Sequence, residues 1–285
     1  MDLRFTKMHG IGNDFVVIDA IRQNVALSRN QIRFLADRHF GVGCDQILMA
    51  APATEPGTDF RYRIFNADGG EVEQCGNGVR CLAVFLAEQG LSDRSDLIIQ
   101  TLGGPTRIQR QPDGQVTVDM GPPRLDPAEI PFQAESRAPR YPLAVDGRML
   151  DIGAASMGNP HAVLQVGDVA DAPLTRWGPI IESHPRFPRR VNAGFMEVVD
   201  RGHIRLRVYE RGVGETLACG TGACAAAVVG QLQGLLDQAV QVDLPGGSLQ
   251  IRWQGEGEPV WMTGPAVTVF EGQLRLPDDA TANGG

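Results

Sequence analysis

The chain repeats itself. Displaced by 144 positions, EVEQCGNGVRCLAVFLAEQGL (71–91) falls on ETLACGTGACAAAVVGQLQGL (215–235). Glu71, Cys75, Gly76, Gly78, Ala83, Val84, Gly90 and Leu91 then meet Glu215, Cys219, Gly220, Gly222, Ala227, Val228, Gly234 and Leu235. A displacement of 146 pairs Gly12-Asn13 with Gly158-Asn159. Each half therefore reads as a strand, a loop carrying Cys-Gly-x-Gly, and a helix. A duplicated two-domain protein is the expectation, with its site between the halves, because clefts between domains are common ligand sites.

The totals suit that reading. With 285 residues, 42% hydrophobic, 21% charged and 35 glycines, the chain has ample material for two cores joined by many tight turns. A formal net charge of −8 argues against nucleic acid or an anionic membrane surface as the main partner. The first residues, MDLRFTKMHGIGND, hold no apolar run suited to a signal peptide. No stretch approaches the roughly 18 apolar residues of a membrane span, so a cytoplasmic protein is expected. Five cysteines (Cys44, Cys75, Cys81, Cys219, Cys224) are an odd number that suits reduced thiols better than a disulfide framework.

Periodicity gives the elements. Asp14–Ala20, Arg61–Asn66, Leu97–Thr101, Gln115–Met120, Ala162–Val166, Phe195–Val199 and His203–Glu210 read as strands. Ser28–Arg38, Val79–Gln89 and Ala223–Gln233 read as helices, the last two stopped by Gly90 and Gly234. The proline-rich stretch Gly121–Pro142 is the candidate boundary. Beyond Arg275 the pattern fades and a frayed tail over 276–285 is expected.

The two Cys-Gly-x-Gly loops carry the chemistry. Glycines let the backbone turn sharply and approach a ligand. The helix behind each loop aims unpaired N–H groups and the positive end of its dipole at the cysteine. That arrangement favours a thiolate and holds a carboxylate. Two such helices facing one amino acid would set a sulfur on each side of its α-carbon. One thiolate would remove the α-proton while the opposite thiol delivers another, and the N–H groups would stabilise the carbanion's charge on the carboxylate. Cys44, Cys81 and Cys224 lack this setting and read as small core residues.

At these residues the chain resembles the diaminopimelate epimerases. The motifs are KMHGIGNDFVVID (7–19), FNADGGEVEQCGNGVRC (65–81), GNPHAV (158–163) and YERGVGETLACGTGACA (209–225). The pairing of QCGNG with ERG and ACGTGACA sets it apart from proline racemases and from phenazine-type isomerases, which lack the cysteine pair. The resemblance implies an α/β fold of two pseudo-symmetric domains, each a curved mixed sheet around a central helix. Residues 1–120, joined by a returning segment 264–275, would form one domain and 121–263 the other. It implies cofactor-independent epimerisation of L,L-diaminopimelate to the meso form, serving lysine and peptidoglycan precursor supply, with no metal.

By the same resemblance Cys75 and Cys219 are the acid/base thiols, and His161 and Glu210 tune them. Asn13, Gln46, Asn66, Asn159, Asn192, Glu210 and Arg211 bind substrate, and Gly76, Asn77, Gly220 and Thr221 form the carboxylate-holding loops. Residue chemistry agrees: a substrate with an amino-acid group at each end needs amides, a carboxylate for ammonium, and an arginine whose fork pairs with the far carboxylate. A homodimer is implied as well. Its contact includes Phe270, where the family often has tyrosine, so a ring contact survives and a hydroxyl hydrogen bond does not.

Three other readings stay open on the residues alone. A pyridoxal-phosphate racemase would have to use Lys7, the only lysine, as its Schiff base. A zinc site would need short paired knuckles, whereas Cys75/Cys81 and Cys219/Cys224 are spaced C-x5-C and C-x4-C. A non-catalytic binding protein on the same fold would keep the ligands without moving a proton.

Overall fold

The computed structural model describes residues 2–73 and 75–277. The chain divides into two compact units, one running to Val118 and resuming at Gly264, the other spanning Asp119–Thr263. In chain order the first half contains β1 (Asp2–Gly10), β2 (Asn13–Asp19), α1 (Arg29–Ala36), β3 (Gln46–Pro52), β4 (Phe60–Asn66), β5 (Glu71–Val72), α2 (Gly76–Glu88), β6 (Asp96–Thr101), β7 (Gly104–Arg110) and β8 (Val116–Asp119). There follow β9 (Tyr141–Val145), β10 (Arg148–Ser156), β11 (Pro160–Val166), α3 (Leu174–Glu182), β12 (Asn192–Asp200), β13 (His203–Glu210), β14 (Gly214–Thr216), α4 (Gly220–Leu232), β15 (Ala239–Leu244), β16 (Gly247–Trp253), β17 (Val260–Gly264) and β18 (Val267–Arg275).

In the first unit the ladder runs β18, β1, β2, β3, β4, β6, β7, β8, with the short β5 on β4. In the second it runs β9, β10, β11, β12, β13, β15, β16, β17, with the short β14 on β13. Both ladders are antiparallel except at two matching steps: β2/β3 and β4/β6 in one, β11/β12 and β13/β15 in the other. A parallel step needs a crossover rather than a hairpin, and α1, α2, α3 and α4 stand at those four steps. The sequence repeat is thus a repeat of topology. Only the first strand differs in origin: β9 precedes its own ladder, while β18 comes from the far end of the chain.

Each unit wraps its sheet around one helix. Helix α2 lies against β1, β2, β3, β4, β7 and β18, and α4 against β10, β11, β12, β13, β15 and β16. Both are buried over most of their length, the pattern of a helix that is hydrophobic all round. Arg80 is the exception in α2. It is fully buried, and its Nε donates to the carbonyl of Pro265 at 3.2 Å, tying the returning segment to the helix.

The outer faces are covered by α1 and α3. Helix α1 opens with a capping box between Ser28 and Gln31 and buries Ile32 and Leu35 with Val16, Ile18, Ile47 and Met49. Helix α3 buries Leu174 and Ile181 with Phe132, Tyr141, Phe187 and Val191. It carries Gly178-Pro179, and a Cβ at Gly178 would lie 2.6 Å from the Tyr209 ring. Close packing on β13, not helix propensity, places a glycine there.

Two sequence expectations change. Helices α2 and α4 begin at Gly76 and Gly220, three residues before the apolar runs at Val79 and Ala223, so each Gly-x-Gly is a first helical turn rather than a loop. The proline-rich stretch 121–142 lies in the second unit, just past the division at Val118/Asp119, and buries Ile130 and Phe132 in that unit's core. Leu276 is buried and the Pro277 carbonyl accepts from Gln31, so the expected fraying does not begin there. Residues 278–285 lie outside the described residues.

Candidate active-site residues

Cys75 and Cys219 are the N-cap residues of α2 and α4, both with extended backbone (φ −142° and −122°). The first intrahelical bonds run from Val79 N to Cys75 O and from Ala223 N to Cys219 O, each 2.9 Å. The N–H groups of residues 76–78 and 220–222 must therefore find acceptors outside the helix. Space explains the second glycine of each turn. A Cβ at Gly78 would lie 2.5 Å from the Tyr62 hydroxyl, and one at Gly222 would crowd Cys219 Sγ at 3.1 Å.

In the first unit Asn13 opens β2, Gln46 opens β3 and Asn66 closes β4, which places all three at one end of the ladder. Gln46 pairs with Phe15 on one side and Asn66 on the other, and its Nε2 donates to Asn66 Oδ1 at 2.8 Å. The thiol of Cys75 donates to Asn13 Oδ1 at 3.6 Å, and Asn77 Nδ2 donates to the same oxygen at 3.2 Å. The Tyr62 hydroxyl, whose own ionisation is pushed well up by burial, donates to the Cys75 carbonyl at 3.4 Å.

In the second unit the corresponding positions hold Asn159 before β11, Asn192 opening β12 and Glu210 closing β13. His161 pairs with Asn192 across the parallel step. His161 Nε2 lies 3.1 Å from Asn159 Oδ1, Asn159 Nδ2 donates to Thr221 Oγ1 at 3.3 Å, and Thr221 Oγ1 lies 3.7 Å from Cys219 Sγ. The buried Asn192 spends its amide on backbone: Nδ2 donates to Pro160 O at 3.2 Å and Oδ1 accepts from Arg211 N at 2.8 Å. The exposed Arg211 side chain donates from NH1 to Arg189 O at 3.0 Å. Glu210 Oε1 accepts from the Thr216 hydroxyl.

Topology pairs these residues: Asn13 with Asn159, Gln46 with Asn192, Asn66 with Glu210, Cys75 with Cys219, Asn77 with Thr221. The chemistry of the pairs is unequal. The amide Asn66 of the first unit corresponds to the carboxylate Glu210 of the second, and Phe15 holds the position equivalent to His161.

That inequality governs ionisation. At Cys219 burial and the negative charge of Glu210 push the thiol well above its ordinary value, while the Thr221 hydroxyl and Gly222 N–H pull the other way. Desolvation of the buried sulfur opposes the helix N-terminus, which favours the thiolate. His161 is held neutral, lowered to about 3 by burial and by the nearby Arg211. Its ring meets Asn159 and carries no charge at neutral pH.

Several participants gave no sequence signal. Asp45 Oδ2 accepts from Asn13 Nδ2 at 2.9 Å and its Oδ1 accepts from Arg38 at 2.9 Å. Asp14 accepts from Arg38 at 2.7 Å and Lys7 Nζ at 2.6 Å. Burial works against the Asp14 carboxylate, yet its bonds to Arg38 and Lys7 hold it well below the ordinary range. Lys7, the one candidate for a Schiff base, is committed to Asp14 and to the Gly43 carbonyl. In the second unit the buried Glu182 accepts from Gly212 N at 2.6 Å and from Arg190 at 2.7 Å, fixing the turn that carries Arg211. These groups sit far apart in sequence and only the fold gathers them. Among the described residues no group of three or more His, Cys, Asp or Glu is placed to hold a metal ion, and no helix is long and apolar enough to cross a membrane.

The fold is shared with a structurally defined class. A hydroxyproline epimerase from Agrobacterium vitis superposes with a TM-score of 0.71 at 16% identity, covering 99% of this chain and 94% of that one. A probable proline racemase from Agrobacterium radiobacter gives 0.72 at 17% (99% and 96%), and a phenazine biosynthesis protein of the PhzF family from Bacillus anthracis 0.70 at 18% (96% and 99%). The chain is thus a protein of the proline racemase and phenazine biosynthesis fold, with a cysteine capping the central helix of each unit.

The family is narrower. Residues 5–125 and 153–269 match the family model for diaminopimelate epimerase. The diaminopimelate epimerase of Thioalkalivibrio sulfidiphilus is 64% identical over 278 residues, 97% of this chain and 100% of that one. That of Alkalilimnicola ehrlichii is 63% identical over the same shares. The chain belongs to the diaminopimelate epimerase family, and it is an amino-acid epimerase.

Proposed function

We propose that the chain interconverts L,L- and meso-diaminopimelate without a cofactor, with Cys75 and Cys219 as the acid/base pair, as a cytoplasmic step toward lysine and peptidoglycan precursors. The observation that carries the reading is the repeated constellation: a cysteine caps the central helix of each unit, and the same topological positions around it supply polar side chains.

The chemistry follows from those groups. The substrate's reacting carboxylate accepts from first-turn N–H groups at Gly76, Asn77, Gly220 and Thr221. A thiolate removes the α-proton, the electron pair spreads onto that carboxylate, and the other thiol delivers a proton to the opposite face. The thiol that gave its proton is then the thiolate, so the roles exchange with direction. Asn13, Gln46, Asn66, Asn159 and Asn192 meet the remaining polar atoms, Glu210 an ammonium, and Arg211 the far carboxylate. Glu210 and the neutral His161 keep Cys219 supplied with its proton.

The test uses protein freed of metal and pyridoxal. In D2O it should convert L,L-diaminopimelate to the meso form with one solvent deuterium at the inverted α-carbon. Conversion that requires added metal or pyridoxal phosphate, or inversion without deuterium entry, overturns the reading.

We also propose a homodimer that uses β18. Val267, Val269 and Phe270 are exposed on this strand, and among the described residues its ladder partner is β1 alone. An apolar strand with an open edge invites a second chain. Phe270 already meets Phe5 edge-on, with ring centroids 6.0 Å apart. Sedimentation equilibrium should give twice the chain mass, and Phe270→Lys should shift it toward the monomer; a monomer at micromolar concentration removes the proposal.

A further inference from the structure

Asn13 is a two-ended side chain, and its two ends do different things. The oxygen Oδ1 accepts from the Cys75 thiol at 3.6 Å and from Asn77 Nδ2 at 3.2 Å. The nitrogen Nδ2 donates to Asp45 Oδ2 at 2.9 Å. An amide can rotate by half a turn with little change in shape, so something must decide which end meets the sulfur. An ionised carboxylate only accepts hydrogen bonds. Facing Asp45, the amide has to present its nitrogen, and its oxygen is thereby left to Cys75.

Asp45 is itself held. It immediately precedes β3, its Oδ1 accepts from Arg38 NH2 at 2.9 Å and its Oδ2 also accepts from the backbone N–H of Asp14 at 3.2 Å. Arg38 donates in turn to both carboxylate oxygens of Asp14, at 3.0 and 2.7 Å, and Lys7 pairs with Asp14 from β1. Lys7, Asp14, Arg38 and Asp45 thus form one chain of alternating charge that holds Asp45 through both of its oxygens.

We propose that Asp45 is a positioning residue that turns the side-chain amide of Asn13 so that its carbonyl oxygen faces the sulfur of Cys75. The inference rests on the two-thiol reading for its purpose, but its geometry stands apart from turnover. An acceptor aimed at the sulfur stabilises the protonated thiol and fixes the direction of its S–H bond. In the second unit the thiol meets a hydroxyl instead, Thr221 Oγ1 at 3.7 Å, which can donate to a thiolate as well as accept. Cys75 depends on Asp45 for an orientation that Cys219 obtains by rotation of a hydroxyl.

Ionisable groups about Cys75 include Tyr62 of β4, pushed well up by burial, and Cys81 of α2, pushed up to about 12 by burial. Both are uncharged at neutral pH. Charge enters from Lys7, Asp14, Arg38 and Asp45, and from the fully buried Arg80 of α2 beside Cys81.

The experiment reads Cys75 directly. Iodoacetamide alkylation of the full-length protein is followed against pH, with the Cys75 peptide quantified by mass spectrometry. Asp45→Ala leaves the Asn13 amide set by Asn77 Nδ2 alone; turning together with the Asn77 amide, it can bring its N–H toward the sulfur, and the Cys75 alkylation rate at pH 7 should rise about tenfold, one pH unit in the midpoint. Asp45→Asn removes the same charge but keeps an oxygen for Asn13 and the Asp14 N–H, so its profile should stay within about twofold of the parent. If Asp45→Asn matches Asp45→Ala, charge alone is responsible and the proposal fails. It fails equally if Asp45→Ala leaves the profile unmoved while its circular dichroism and melting midpoint match the parent. Where Asp45→Ala does not fold, the double variant Asp45→Asn with Arg38→Gln takes its place: without Arg38 to fix the new amide, the alkylation rate should rise, and an unchanged rate overturns the proposal. Should Cys75→Ala retain epimerisation, the two-thiol reading falls while the alkylation result still decides the orientation.

Discussion

Replacing Cys219 with alanine should lower kcat/KM for epimerisation by about a thousandfold, and replacing Cys75 should do the same, because each removes an acid/base partner in the transition state. The single variants should nevertheless not be dead toward exchange. With Cys219 gone, Cys75 can still take the α-proton from its own face and return a solvent deuteron there with retention. One stereoisomer should then lose its α-proton to D2O while the other stays silent, and Cys75→Ala should show the opposite preference. NMR of each pure isomer in D2O reads this directly. A variant that retains more than a tenth of the parental inversion, or that exchanges both isomers equally, defeats the assignment of one thiol to each face. The Cys75→Ala variant should also show its own pH response. Cys219 is pushed up by burial and by Glu210, so this protein, which must use Cys219 as its base, should exchange faster as pH rises past the ordinary thiol range.

Much of the fold was legible because the chain states it twice. The displacement of 144 residues predicts like topology around Cys75 and Cys219, and the two ladders match strand for strand. The alternating run His203–Glu210 is strand β13 with the expected bounds. What the residues could not announce were elements made by packing. Helix α3 has a glycine and a proline in its interior and holds its shape because Leu174 and Ile181 are buried. Helices α2 and α4 start three residues early, on a weak helix-forming Gly-x-Gly turn whose second glycine packs close beneath Tyr62 in one unit and Val208 in the other.

The site divides the same way. Cys75, Cys219 and the amides around them stand in recognisable motifs, so residue types led to them. Orientation and ionisation did not follow. Asp45 sits one residue before Gln46, yet only the parallel step of β2 and β3 brings it to Asn13. Glu182 reaches Gly212 from a helix with no sequence signal. Burial, a quantity the sequence does not contain, pushes the Cys219 thiol up against the pull of its helix.

His161 supplies the largest expected effect on stability. Its pKa in the folded chain is about 3 against an ordinary 6.5, lowered by burial and then by Arg211. The unfolded chain therefore binds a proton below pH 6.5 that the folded chain refuses, and stability rises with pH wherever the unfolded state holds more protons. The contribution is fully present above pH 6.5 and is lost as pH falls through 6.5 toward 3. Carboxylates such as Asp14 and Asp243, held low by their partners, give up their own contributions only further into acid. In the interval from pH 6.5 to 4.5 the histidines therefore dominate: His161 contributes most, and the more exposed His184, lowered by burial, adds with the same sign. One proton over two pH units amounts to about 2–3 kcal/mol. Urea unfolding at pH 7, 6 and 5 should show the midpoint falling at constant m-value, and His161→Gln should flatten that fall. A parent midpoint that does not move between pH 7 and 5 rejects the neutral, buried histidine. The same protonation bears on function, since an imidazolium would set a second positive charge near Arg211 in the buried surroundings of Asn159, Thr221 and Cys219. Acid should then cost activity in step with stability, and His161→Gln, whose amide can still donate to Asn159, should keep a larger share of its own neutral-pH rate at pH 5 than the parent keeps of its own.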